Sequence, residues 1–383
     1  MQYLRRKSSP TIVAALLALC VAAAVPAAAV AHSRPAEYVY VNDNTAGTNT
    51  VAGFARRDDG QLIPLPGSPF NAGGEGTGSG LASQGAIQVS GDRRFVIAVD
   101  AGSNQISVLR IKQHGNLKLV PHGVVSSGGA QPVSVAEQDG LVYVANAGAG
   151  GSDYTGFTLS PSGRLRPLAA STVPLPDDAQ PGDVLFNPGG TNLVGVRVNT
   201  SQIDSFSVRP DGRLAAAPDS PFAAQAAGPF GSEFRPTNPS QLFVSNAHAG
   251  AGNGTVSAFN VASDGALSPI AGSPFADQQT APCWVEITHD GEFLFTVNTA
   301  SDSISRYAIA SDGALTLLGS TPVSSQSGVV PVDARLSADG RTLYVNESGI
   351  AALGEFDVDG GQLTEQGSVS LPAGATPAGV AVR

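Results

Sequence analysis

The chain has 383 residues, 42% of them hydrophobic and 14% charged, with 46 Gly, 27 Pro and a formal net charge of -10. This is the composition of a soluble, globular, turn-rich protein poor in helix signals, so an all-β fold is the first expectation. The acidity, with no basic cluster to offset it, excludes nucleic acid and anionic lipid as partners.

Residues 1–31 place Arg5, Arg6 and Lys7 before an apolar stretch, Thr11 to Val25, and end in Ala29-Val30-Ala31, which fits an A-x-A cleavage site. The pattern predicts an export signal, a mature chain from His32 and a secreted, extracellular protein. A membrane anchor is the weaker reading, because the apolar run is short for a span and Pro26 interrupts it. Lipid attachment at Cys20 is disfavoured by bulky Leu19, while Arg5-Arg6 leaves twin-arginine export open beside the general route. Cleavage removes three positive charges and no negative ones, which takes the net charge to -13. Cys283 is then alone, so no intrachain disulfide can form and the fold must rest on core burial.

From Tyr38 onward one unit recurs. Apolar runs such as Tyr38-Val39-Tyr40-Val41 and Leu294-Phe295-Thr296-Val297 have the β-branched and aromatic residues of half-buried strands, and a column of Asn42, Asp100, Asn146, Asn199, Asn246, Asn298 and Asn346 closes them. A second series, x-Gly-x-Leu, carries Leu62, Leu117, Leu165, Leu214, Leu267, Leu315 and Leu363, spaced by 55, 48, 49, 53, 48 and 48 residues. That period is one of four-stranded units. Ser-Pro-Phe at 68–70, 220–222 and 273–275 is expected to end outermost strands. The Gly-rich run Asn71 to Gly80 has neither Lys nor a following helix signal and reads as a flexible link.

A third series opens an inner strand with x-Pro at Pro132, Pro181, Pro229, Pro282 and Pro331, and Ser83-Gln84 holds the equivalent place without proline. The strand missing before the first repeat is found at the end of the chain, as Thr376 to Val382. A last strand that completes the first sheet makes a closed ring, and closure removes exposed edges. The prediction is one domain, residues 32–383, folded as an all-β, seven-bladed β-propeller of four-stranded blades; a β-sandwich or an array of small domains leaves the displaced strand unexplained.

The stretches LYVNES (343–348), LFTVNTASDSISRYAIASDGAL (294–315) and LFVSNAHAGAGNGTVSAFNVASDGAL (242–267) resemble the seven-bladed lactonase propellers, which include 6-phosphogluconolactonase and the carboxymuconate lactonising enzymes, and also YVTN-type surface propellers. The resemblance covers residues 36–383 and implies a cofactor-independent lactonase or lactone-forming isomerase. The family carries Arg-His directly after Gly-Pro on an inner strand and Asn-Glu on the neighbouring one. Here Gly228-Pro229 is followed by Phe230-Gly231 and Asn246 by Ala247-His248, while Asn-Glu occurs as Asn346-Glu347 in the last blade.

The long loops at 42–50, 146–153 and 246–255 share one face with the channel mouth, and variable loops on a rigid scaffold are where binding residues gather. Two residues past each proline position come Asp183, Trp284 and Asp333, and four past come Glu233, Glu286 and Arg335. Alternation puts both sets on one side of their strands, so Asp183, Asp333, Trp284 and Glu233 are expected to form an acidic, one-aromatic ligand site. The competing reading has these aspartates bonding their own turns and the tryptophan in the core. Arg197 stands among apolar neighbours and is expected to pair with Asp183. For chemistry the candidates are Glu347 or His248 as base, with Arg197 or Arg335 holding developing charge. No metal-ligand spacing is visible among the five histidines. A monomer taking a small-molecule or carbohydrate ligand, without cofactor, metal or membrane insertion, is the expected state; the alternative is a non-catalytic propeller for a polysaccharide, peptide or cell-envelope partner.

Overall fold

Short β-branched and aromatic runs separated by Gly turns pair in the simplest way open to them, each with the next, giving seven antiparallel sheets. The computed structural model describes residue 2 and residues 37–57, 60–324 and 328–383. The export signal, the His32 start and Cys20 lie outside the described residues. Among those described there is no α-helix, only two single 3-10 turns, Gln113–Gly115 and Thr299–Ser301, and no helix long and apolar enough to cross a membrane.

Blades 2 to 7 begin with inner strands Ile87–Val89, Pro132–Gln138, Pro181–Phe186, Pro229–Phe234, Pro282–Ile287 and Pro331–Leu336. In blade 1 that place belongs to Gly379–Val382, which pairs with Tyr38–Asn42 through Val39↔Val382, Tyr40↔Ala381, Val41↔Val380 and Asn42↔Gly379. The ring closes as the displaced strand requires. Buried Val, Leu, Phe and Tyr of adjoining blades form the core, with Tyr40, Tyr143, Tyr154, Tyr307 and Tyr344 among the largest side chains fully withdrawn from water. Their hydroxyls stay bonded, for example Tyr344 to Glu37 and Tyr40 to the Gly115 carbonyl.

Three local readings change. Ser-Pro-Phe does not end the rim strands; it splits them, and Phe70, Phe222 and Phe275 each begin a second piece that returns to the third strand. At the split a serine hydroxyl accepts the ladder N–H left over, Gly53 to Ser68, Ser205 to Ser220 and Ala258 to Ser273, and Gly156 to Ser171 repeats the arrangement in blade 3. The Gly-rich run is strand as far as Gly76, and a Cβ at Gly74 would lie 2.5 Å from the Asp100 carboxylate, so glycine serves close packing there. The closing column is also offset in two blades. Arg197, opposite Pro181, and Glu347, opposite Pro331, hold the place that Asn146, Asn246 and Asn298 hold opposite their own prolines.

Candidate functional site at the channel mouth

Five inner strands shift register just after their proline: at Ser134, Asp183, Ser232, Trp284 and Ala334. A bulge re-aims side chains, so strict alternation fails here and residues directly after the proline face the channel too. Phe230, Cys283 and Val332 thereby join Trp284 around a cavity of about 400 Å³ at the mouth. Leu81, Val330, Pro377 and Ala378 complete its apolar wall, with Ser83, Thr299, Ser348 and Thr376 between them. Phe230 stands edge-on to Trp284, ring centroids 5.1 Å apart. Burial pushes the Cys283 thiol up to about 12, so it is neutral. Val330 holds a left-handed backbone (φ 50), costly for a β-branched residue. Asp302 accepts its N–H at 2.9 Å, and Ser348 donates to its carbonyl.

The floor of the cavity is the Ser83-Gln84 segment, for which the repeat predicts a proline-less inner strand. Residues 83–85 instead reach across the channel. Ser83 Oγ donates to Val133 O and the Gln84 amide N–H to Gly182 O, while the Val135 N–H donates to Gly85 O. The Gln84 side chain donates to Ser232 O at 3.0 Å and accepts the Val285 N–H at 3.0 Å, and the Trp284 indole N–H donates to Ser83 O at 2.8 Å. One short plug from blade 2 thus ties blades 3, 4, 5 and 6. Gly231 makes room for it: a Cβ there would sit 2.2 Å from the Gln84 side-chain oxygen. The absent proline and Gly85, at φ 78, were the available signals.

Beneath the plug the lining is polar. Asp183 accepts from Ser232 N and Oγ and from Ser134 Oγ; Asp333 accepts from its neighbour Ala334 N and from Val380 N of the closing strand. Burial raises both carboxyls to about 7, against the pull of these bonds. One level further toward the Asp-Gly turns, Arg335 Nη1 lies 3.0 Å from Glu286 and 3.8 Å from Glu233. Burial and the Glu286 charge push Glu233 up to about 8; burial also raises Glu286, and that carboxylate raises Arg335 in turn.

A family model for lactonase, 7-bladed β-propeller, matches residues 234–381. The chain resembles the seven-bladed β-propeller lactonases. A candidate 6-phosphogluconolactonase from Bacteroides uniformis aligns over 91% of this chain and 100% of its own, at 20% identity and a TM-score of 0.73. One from Bacteroides fragilis aligns over 93% and 100%, at 20% and 0.72, and the periplasmic gluconolactonase of Pseudomonas aeruginosa over 91% and 99%, at 18% and 0.69. No curated protein matches the sequence. At these identities the likeness is one of fold.

Set on this lactonase-type ring, the sequence candidates separate into those that meet and those that do not. Asp183, Asp333, Glu233 and Arg335 do converge on the channel, joined by Glu286, which lies four past its proline like Glu233 and Arg335 and pairs with Arg335. They lie below the plug, not at the mouth, and Trp284 alone of the group lines the cavity. The acidic mouth is therefore corrected to an apolar one. Arg197 does not pair with Asp183; it forks onto Asp204 (2.7 and 2.5 Å), which also receives the Tyr154 hydroxyl. Glu347 is buried against Gly354 rather than facing the channel, and His248 stands exposed over Gly228, outside the cavity lining. Among the described residues no group of three or more His, Cys, Asp or Glu could hold a metal ion.

Proposed function

We propose that this is a secreted, lactonase-type propeller that binds a compact, mainly apolar small molecule at its channel mouth. The observation that carries the reading is the cavity of about 400 Å³, floored by the plug and walled by Trp284, Phe230, Leu81 and Val332. That volume lies within the range of small-molecule sites. Binding is favoured over lactone opening because Glu347, His248 and Arg197 are dispersed, and because Arg335, engaged by two carboxylates, is separated from the cavity by residues 83–85. Secretion rests on the pattern of residues 1–31.

Trp284, the sole tryptophan, provides the readout. Purified residues 32–383 should change indole emission on titration with apolar ring compounds, and Val332→Phe, which fills the cavity, should abolish the response. Sugar lactones should not be hydrolysed. Lactone turnover that survives Val332→Phe would place the working site elsewhere and sink the proposal.

A further inference from the structure

Four consecutive backbone amides in the wall of the cavity carry hydrogens that the protein does not use. Among the described residues, no carbonyl, carboxylate or hydroxyl accepts the N–H of Gly80, Leu81, Ala82 or Ser83, all of which line the cavity. On either side the chain is bonded again, the Ser79 N–H to Thr77 Oγ1 and the Gln84 N–H to Gly182 O. Gly80 and Ala82 are exposed, but Leu81 keeps only 7% of its surface open and Ser83 1%. A buried amide without an acceptor is costly and rare, and the cavity is the open space that these two residues border. Ala82 stands in the left-handed region, at φ 51. Left-handed residues within runs of free amides build backbone concavities that hold acceptor oxygens.

No charge accompanies these donors, since none of the lining residues is Lys, Arg, His, Asp or Glu. The loops between second and third strands and the links between blades carry Asp43, Asp177, Asp178, Asp277 and Asp302 but, among the described residues, no Lys or Arg. Asp302 sits against the rim itself, where it accepts the Val330 N–H, and Arg197, at a strand end on this face, is held by Asp204. An anion therefore meets a field of its own sign and no cation. An ammonium leaves water for a wall without a carboxylate.

Resting on the reading that this cavity is the binding site, we infer that its ligand is an uncharged, compact ring compound, such as a cyclic ketone or amide, that presents a carbonyl oxygen to the amides of residues 81–83. Phosphorylated, carboxylated and cationic compounds are excluded. Donors aimed at a carbonyl oxygen also favour charge growing there, but no His, Asp or Glu lines the cavity to act as base. The carbonyl is held rather than attacked.

The test keeps one skeleton and changes its charge: camphor, the camphorsulfonate anion and the bornylammonium cation, each titrated calorimetrically into residues 32–383. Camphor should bind, and each ion should bind more weakly by about tenfold or more, because neither finds a partner for the charge it strips of water. Infrared spectra of bound camphor, labelled with heavy carbon at its carbonyl, read the donors directly: the stretch should fall from its position in hexane to that in water or lower. The amide resonances of Leu81, Ala82 and Ser83 should move downfield in the same complex. A stretch closer to the hexane position, unmoved amide resonances, or either ion binding within about tenfold of camphor overturns this inference but leaves the cavity as the site. Binding of none of the three, or camphor binding unaffected by Val332→Phe, overturns the reading of the cavity itself.

Discussion

The same inner strands line two levels of opposite character. On the loop side of residues 83–85, blades 1, 2, 5, 6 and 7 present an apolar wall of about 400 Å³; on the turn side, blades 4 to 7 present four carboxyls and one guanidinium. Both levels draw on residues one to four past the proline position, Phe230, Cys283, Trp284 and Val332 at the mouth and Asp183, Glu233, Glu286, Asp333 and Arg335 below it, so position along the strand does not by itself decide the chemistry. The decisive elements are the bulge, which turns both parities of residue toward the mouth, and the plug, which shields one level from the other.

The comparison can be broken most completely by deleting Thr376 to Arg383. This bares the Tyr38–Asn42 edge, takes Pro377 and Ala378 from the mouth and removes the Val380 N–H that Asp333 accepts. The expected result is aggregation or loss of cooperative unfolding; a truncated protein that melts like its parent would contradict ring closure. Gly231→Ala acts on the partition alone. Its new methyl meets Gln84 and the Cys283 carbonyl, 2.7 Å away, and should cost about 1–3 kcal/mol by chemical denaturation while loosening the plug. Unchanged stability would mean that the plug yields freely.

The smallest effect sharpens the polar level. Asp183 and Asp333 titrate near 7 and Glu233 near 8 when folded, against about 4 in the unfolded chain. Between those values the folded state holds more protons than the unfolded one, so stability must fall as pH rises from about 4 and level off above about 8. The melting temperature should therefore drop from pH 5 to pH 8.5, and Asp183→Asn with Asp333→Asn should flatten the slope. A melting temperature that rises over this interval would show the carboxyls to be ionised and paired.

What the sequence made legible was whatever repeats. The blade count, the closing strand and the inner columns follow from a period near 48 residues and from local turn chemistry, and the described residues agree. The plug depends on partners that no local pattern names, since Gln84 bonds across 148 and 201 positions, whereas the Arg197–Asp204 fork spans seven positions of one hairpin, the spacing that also joins Asn146 to Asp153. The offset of Arg197 and Glu347 was hidden because Asn199 and Asn346 mimic the column nearby; only the pairing register separates them. Even so, Gln84 without a proline was a visible break in the series, and breaks in a repeat are where function is first to be sought.

The rim carries a consequence of its own. Blades 1, 3, 4 and 5 split their outer strand at a serine, and blades 2, 6 and 7, whose outer strands run on, shift register at Ser107/Leu109, Arg306/Tyr307 and Glu355/Phe356. All seven outward edges among the described residues are thus interrupted, although closure of the ring protects none of them. A foreign strand laid along any blade would lose register after a few residues, so irregularity guards the circumference against edge-to-edge association, beside the charges of Lys118, Arg166 and Glu365 on three of the outer strands.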